Sequence, residues 1–266
     1  MVSDQNARLT AARKLTDAKA RRQSGRFLAE GAQAVREALA RPGTIVELYL
    51  TAAAAAGRGD LVAAADAAGI AVSEVSCAAA KALSQTVSPP GLVAVCRRVD
   101  VSFAQALSGG PRLVAALVEA NDPGNAGTIV RAADAAGADA VVLCEGSVDV
   151  YNGKAVRASA GSLFHLDVVV DVPADRMIRQ ARDAGLQVLA TAGAGETDLD
   201  TLADSGVLAG PTIWLFGNEA RGLDESTLTA ADARVRVPIY GRAESLNIAA
   251  AATVCLYASA RAQRRA

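Results

Sequence analysis

Aromatic side chains are nearly missing from this sequence, at 3% of its 266 residues, although 52% are apolar. A core must therefore be built from Ala, Val, Leu and Ile, the composition of helices stacked on a parallel sheet. No stretch approaches the roughly 18 uncharged apolar residues that a membrane span requires. The opening MVSDQNARLT also lacks a basic segment followed by an apolar one, so a cytoplasmic protein without membrane contact is expected. Cys77, Cys96, Cys144 and Cys255 are far apart and form no C-x-x-C pair. That argues against a zinc site or a disulfide framework and leaves the cysteines as core filler. Histidine is limited to His165, beside a predicted strand, and is read as structural rather than as a general base. No metal is expected.

The net charge of −1 conceals an asymmetry. Residues 1–41 carry nine Lys/Arg against four acids, one of them Asp4, a surplus of five that leaves −6 for the remainder. A basic segment on an acidic protein is the footprint expected of a phosphate-backbone contact, although a solvated helical face gives the same pattern. Arg13, Lys14, Arg21, Arg22 and Arg26 are its candidate RNA-binding residues.

The length suggests two domains or one large α/β unit. Residues from about 4 to 40 show helical patterns broken at Ser24-Gly25, with a possible short strand at Arg26-Phe27-Leu28. Runs Ile45–Leu50, Ile70–Val75 and Gly91–Cys96 read as strands of a small α/β domain. Ala52–Ala56 is low-complexity surface or a helix start. Gly109-Gly110-Pro111 is a breaker cluster suited to an interdomain connection, which divides the chain into 1–105 and 106–266. Beyond it, strands at Leu113–Val118, Ala140–Cys144, Val168–Val170, Gln187–Thr191, Thr212–Phe216 and Arg234–Ile239 alternate with helices near 125–136, 152–160 and 174–184. Continuous apolar strands separated by helices imply a mostly parallel sheet covered on both faces. A final helix from about Ser245 to Arg264 has Val254 and Tyr257 off its main stripe, so burial on more than one face is expected, as at a subunit contact.

Three segments carry candidate chemistry. NDPGNAGTIVRAADAAG, 121–137, follows a strand and opens a helix in which Asn125 is a candidate cap. Arg131 points away from the buried stripe of Ile129, Ala132, Ala133 and Ala136. LFGNEARGL, 215–223, ends a strand with Gly217, which permits close approach of backbone, followed by Asn218 and Glu219. VPIYGRAESLNIAAAA, 237–252, ends in a helix start where Ser245 is a good cap and Asn247 an indifferent first-turn residue. Each segment alone also has a bland reading as a capped helix or a strand-ending loop.

Together, and in order, they resemble the SpoU (TrmH-like) family of SPOUT methyltransferases. Asn125-x-Gly127-x-x-x-Arg131, Phe216-Gly217-Asn218-Glu219 and Ser245-Leu246-Asn247 match its motifs, and KAVRASAGSLFHL, 154–166, looks like its fourth stretch, with Arg157 and Ser159 in place. Ala220 departs from the glycine of many relatives. RKLTDAKARRQSGRFLAEGAQAVREAL, 13–39, looks like the substrate-binding domain of ribosomal RNA members, similar in shape to L30-type ribosomal proteins.

The resemblance implies a S-adenosylmethionine-dependent enzyme methylating a ribose 2′-hydroxyl, in 23S ribosomal RNA rather than transfer RNA. It also implies an α/β fold with a deep C-terminal trefoil knot, preceded by the L30-like domain, and an obligate homodimer whose active site is completed across the interface. By the same carry-over, Thr191, Gly193, Leu215, Gly217, Ile239 and Leu246 would hold the cofactor. Arg131, Asn125, Glu219, Ser245 and Asn247 would form the catalytic set, with Arg157 added to the RNA-binding residues. Arg131 would act either as a base or, more easily for a guanidinium, by stabilising a developing alkoxide or gripping a phosphate. Glu219 would orient Arg131 or complement positive charge.

Two competing readings remain. Thr191-Ala192-Gly193-Ala194-Gly195 looks like the start of a dinucleotide turn, but the third glycine is missing, with Thr197-Asp198 where it should fall. A non-catalytic RNA-binding protein of the same fold is the other.

Overall fold

The computed structural model describes residues 6–265; Asp4 of the basic segment lies outside them. The chain forms two compact units. The first takes residues up to Val99 together with Asp149–His165, and the second takes Asp100–Val148 with the residues from Leu166 onward.

In the first unit β1 (Arg26–Glu30), β2 (Ile45–Leu50), β3 (Ala71–Glu74) and β4 (Leu92–Arg97) form a sheet of order β1-β4-β2-β3. β4 runs antiparallel to β1 and β2, while β2 and β3 are parallel. Gly25, at φ +64°, ends the helix Ala18–Ser24 in the left-handed conformation and turns the chain into β1. The alanine run becomes the short helix Ala52–Gly57.

Residues 149–165 belong to this unit because its scarce aromatic rings hold them there. Phe27 of β1 lies 4.7 Å from the ring of Tyr151 and 6.1 Å from that of Phe164. The Tyr151 hydroxyl accepts the Val99 N–H at 3.1 Å, and the Arg98 guanidinium sits 4.9 Å above the Tyr151 ring. Sequence position had grouped this stretch with the C-terminal domain; packing groups it with the first.

The same packing revises two residues of the basic set. Arg21 is buried: its guanidinium pairs with Asp149 at 2.8 Å and donates to the carbonyls of Leu15 and Thr16 at 3.0 Å. It is an internal clamp rather than an RNA contact. Arg157 is paired with the buried Glu30 at 3.2 Å. Arg13 is half-buried, whereas Lys14, Arg22 and Arg26 are exposed. His165 faces Glu37 at 3.0 Å.

The second unit is a seven-stranded sheet in which every pairing is parallel. Its strands are β5 (Leu113–Leu117), β6 (Ala140–Cys144), β7 (Asp167–Val172), β8 (Gln187–Thr191), β9 (Thr197–Asp198), β10 (Thr212–Phe216) and β11 (Ala233–Arg236). The order is β7-β6-β5-β10-β8-β11-β9, so the winding reverses between β5 and β10. Both of these strands are buried along their whole length. In such sheets the crevice at the carboxyl ends of the strands, where the order reverses, is the ligand-binding position. The motif turns after Leu117 and Phe216 both lie there.

The C-terminal stretch departs from the sequence expectation. β11 ends at Arg236 instead of continuing to Ile239, and residues 237–247 form an exposed, irregular loop; Pro238 has no N–H to offer a ladder. The final helix starts at Ile248, and its cap is Asn247, not Ser245: the Asn247 side chain accepts the N–H groups of Ala249 and Ala250 at 2.9 and 3.4 Å. This helix buries Ala249, Ala252, Cys255, Leu256, Ser259 and Ala260. Ser259 accepts the indole N–H of the fully buried Trp214 at 2.9 Å, satisfying a donor that burial would otherwise strand. Val254 and Tyr257 stay exposed. Cys96, Cys144 and Cys255 are buried, and burial pushes the thiols of Cys144 and Cys255 up to about 12. Cys77 is exposed instead of being core filler.

Candidate active site

The helix Pro123–Ala136 begins where chain geometry and capping agree. Pro123 occupies the first turn, where its missing N–H costs nothing. Asp122, not Asn125, is the cap, accepting the Asn125 N–H at 2.8 Å. The Asn125 amide is thereby free to reach outward. It donates to Glu219 Oε1 at 3.2 Å and accepts from the Asn247 amide at 3.1 Å. Glu219 also accepts the N–H groups of Asn121 at 3.1 Å and Asp122 at 3.2 Å. A continuous hydrogen-bonded chain, Asn247 to Asn125 to Glu219 to the 121–122 backbone, thus joins all three sequence segments.

Burial alone would raise the Glu219 carboxyl. The N–H groups and the Asn125 amide outweigh it and hold the carboxyl below the usual range near 4.5. Glu219 is therefore an anion committed to backbone and amide donors. It does not orient Arg131, the role the sequence had offered it.

The turn carrying Glu219 is fixed by its neighbours. Asn218 is buried; its amide donates to the Glu119 carbonyl at 3.0 Å, and its Oδ1 accepts the N–H groups of Ala220 and Arg221. Asn218 and Gly222 exchange backbone hydrogen bonds at 3.0 and 2.8 Å. That places Gly217 so close that a Cβ there would lie 2.4 Å from the Gly222 carbonyl carbon, which only glycine avoids. Glu119 adopts φ +54°, a strained value for a non-glycine residue, and pairs with Arg221 at 2.8 Å. The Arg221 charge is thus directed at Glu119.

A cavity of about 210 Å3 opens beside this turn, lined by Thr191, Gly193 and Gly217 on the strand side and Ile239, Ser245 and Leu246 on the loop side. Five of the six residues expected to hold a cofactor line it. Leu215 does not: its side chain is fully buried, and its carbonyl accepts the Thr191 hydroxyl at 2.9 Å. Glu219 lines the cavity, as do Glu244 and Val237, which sequence reasoning passed over because no spacing rule marks residues in an irregular loop. Gly195 packs against β11, where a Cβ would fall 2.7 Å from the Arg234 carbonyl oxygen. Close strand contact, rather than a dinucleotide, accounts for that glycine.

Arg131 stands apart from this group. It is exposed, does not line the cavity, and makes no hydrogen bond or ion pair to any described residue. Six residues beyond Asn125, it lies about 9 Å further along the helix axis. The structure brings Asn125, Glu219 and Asn247 together, with Glu219 and Ser245 lining the cavity, and leaves Arg131 without a partner among the described residues on the same helix as Asn125. Among the described residues no group of His, Cys, Asp and Glu could hold a metal ion, and no helix is long and apolar enough to cross a membrane.

Comparison with known proteins finds two family models on the chain. The SpoU rRNA Methylase family model matches residues 112–257, and the MRM3-like substrate binding domain model matches residues 6–94. The 23S rRNA (guanosine(2553)-2′-O)-methyltransferase RlmP of Bacillus subtilis (strain 168) is 35% identical over 256 residues, 96% of each chain. The 23S rRNA (uridine(2479)-2′-O)-methyltransferase of Streptomyces viridochromogenes is 39% identical over 142 residues, 52% of this chain and 49% of that protein. Among solved structures, an AdoMet-bound rRNA methyltransferase from Sinorhizobium meliloti superposes with a TM-score of 0.84 at 32% identity, covering 98% of this chain and 97% of the other.

Proposed function

The chain belongs to the SpoU rRNA methylase family, and from that premise we propose that it transfers the methyl group of S-adenosylmethionine to a ribose 2′-hydroxyl of 23S ribosomal RNA. The observation that carries this reading is the hydrogen-bonded chain from Asn247 through Asn125 to Glu219 at the edge of the 210 Å3 cavity. Family membership accounts for the motif residues; the chain accounts for why they act as one unit.

The cavity suits the cofactor chemically. Gly193 leaves bare main chain on one wall, since a Cβ there would meet nothing within 4 Å, and Ile239 and Leu246 supply apolar surface. At about 210 Å3 it is smaller than the roughly 300–1,000 Å3 of a typical ligand pocket, so a bound nucleoside would be partly covered by the exposed loop 237–247. Thr191, Gly193, Gly217, Ile239 and Leu246 would hold it. When bound, S-adenosylmethionine supplies an electrophilic methyl carbon on a sulfonium.

Transfer to a ribose oxygen is an in-line displacement, so the protein must align the acceptor and lower the energy of the oxyanion that develops as its proton leaves. Arg131 is assigned that role. A guanidinium is a poor proton acceptor but a strong, permanently charged donor to an alkoxide or an adjacent phosphate. Asn125 and Asn247 hold the helix start and the loop in register, and Ser245 offers a hydroxyl to the ribose.

Arg131 does not line the 210 Å3 cavity, which supports a homodimer that completes the site across an interface. The half-exposed Val254 and Tyr257 on the last helix, with Ile239 and Leu246 on the loop before it, supply an apolar face for such an interface. The knot implied by the family would lie where this helix returns to the sheet. The first unit would bind substrate RNA and the second carry out transfer, in the cytoplasm where ribosomal RNA is found.

The test is methyl incorporation from radiolabelled S-adenosylmethionine into 23S ribosomal RNA, followed by mapping. Label in a ribose 2′-O-methyl of 23S RNA is expected. Label confined to a base, or to transfer RNA, would overturn the assignment.

A further inference from the structure

A larger cavity, about 590 Å3, opens in the first unit. Its floor is Gly91 and Leu92, where the chain enters β4; its walls are the helices Ala52–Gly57 and Cys77–Ala82, and its rim is Pro89-Pro90. The volume lies within the roughly 300–1,000 Å3 of ligand-binding clefts. The floor depends on a close approach: Gly91 sits at φ +70°, and a Cβ there would lie 2.7 Å from the Thr51 hydroxyl oxygen, which caps the wall helix.

The lining has an uneven chemistry. Arg58 and Lys81 both border the cavity, both are exposed, and neither has a carboxylate partner among the described residues; the Arg58 guanidinium reaches only the neighbouring Gly57 carbonyl at 3.4 Å. No Asp or Glu lines it. By contrast, Arg21, Arg36 and Arg157 of this unit are paired with Asp149, Asp60 and Glu30. Two unspent cations above alanine and proline surface therefore suit a ligand that is anionic at one end and flat and apolar at the other.

We propose that this cavity receives an unpaired nucleotide of single-stranded RNA, with a backbone phosphate between Arg58 and Lys81 and the base against the alanine and proline walls. The proposal rests on the RNA methyltransferase reading and deepens it by naming a place on the substrate-binding unit that grips RNA. A guanidinium presents a planar fork to phosphate and an ammonium a point charge, so the pair can hold one phosphate from two sides. Proteins that select RNA by sequence act mostly on unpaired nucleotides whose bases can leave the stack, and a cleft of this size admits one such base. The site is distinct from the exposed Lys14, Arg22 and Arg26, which lie on other elements.

The experiment uses the full chain and its Arg58→Ala/Lys81→Ala double variant, with an Ala53→Trp variant that fills the cavity and leaves both cations in place. Binding of fluorescein-labelled oligouridine and of a 23S rRNA transcript is followed by anisotropy across a salt series, and S-adenosylmethionine binding by calorimetry. Both variants should lose about tenfold or more in RNA affinity. The double variant should also show a salt slope shallower by about 0.7 for each phosphate contact removed. Cofactor affinity should match the unaltered protein.

RNA affinity and salt slope unchanged in both variants would overturn the proposal while leaving the methyltransferase reading intact. Tight binding of free uridine monophosphate, unaffected by excess oligouridine, would also overturn it by marking a small-molecule site. An unaltered protein that binds neither S-adenosylmethionine nor RNA would end both.

Discussion

Arginines in the two units show two opposite uses, one buried and paired, the other exposed and uncommitted. In the first, Arg21 is buried under three partners and Arg157 is tied to a buried glutamate; in the second, Arg131 stands on a helix face with no hydrogen-bond or ion-pair partner among the described residues. A buried, paired arginine contributes to folding, and removing it leaves a stranded charge. An exposed arginine with no partner among the described residues contributes little to the chain's own packing, which is the condition of a side chain reserved for another molecule. Charge count alone treats the two as equals.

The sharpest way to break this contrast is a pair of substitutions. Arg131→Ala should cut methyl transfer by about 10^3-fold, on the scale of a lost oxyanion donor, with unchanged thermal stability and S-adenosylmethionine affinity. Near-normal turnover would show that the exposed cation is ordinary surface. Arg21→Ala should do the reverse, costing about 3 kcal/mol in urea unfolding because Asp149 loses its partner. A small stability change combined with a large loss of RNA affinity would restore Arg21 to the RNA surface.

Gly217→Ala sharpens the view of the second unit as a rigid cradle. The added Cβ cannot fit against the Gly222 backbone, so cofactor affinity should fall by roughly tenfold or more, about 1.4 kcal/mol, as read by calorimetry. Asn247→Ala should cost about 1 kcal/mol of stability through the lost cap, plus a fall in turnover from the broken bridge to Asn125. A turnover loss rescued by Ser, which caps but cannot span to Asn125, would place its role in capping alone.

The smallest effect concerns pH. The Glu219 carboxyl is held below its ordinary value near 4.5, so its stabilisation is present above that pH and is lost as the pH falls through the depressed value. Glu219→Gln should therefore differ most from the unaltered protein near neutrality and converge with it below pH 4.5. The gap should stay under about 1 kcal/mol, since the group is exposed and screened. A gap that widens on acidification would reverse the assigned sign.

Much of this organisation was legible in the residues. The strands Ala140–Cys144, Gln187–Thr191 and Thr212–Phe216 were readable to their ends because continuous apolar runs bounded by breakers have few alternatives. The caps were not: Asp122 displaced Asn125, and Asn247 displaced Ser245. All four are good capping types, and only the backbone path decides which stands at the boundary. Asn218 gave no sign of its structural role, because its partners, Glu119 and Gly222, are set by how β5 and β10 lie side by side.

The sequence by itself determined most strands of the second unit and their parallel sheet, since periodicity and breakers are properties of the chain. Tertiary structure alone decided the duties of the polar side chains. It turned Arg21 inward, drew 149–165 onto the first unit through Phe27 and Tyr151, and bound Glu219 to Asn125 instead of Arg131. A charge or amide acquires its role from the donor or acceptor that folding sets within about 3 Å of it, and separation along the chain carries no record of that distance.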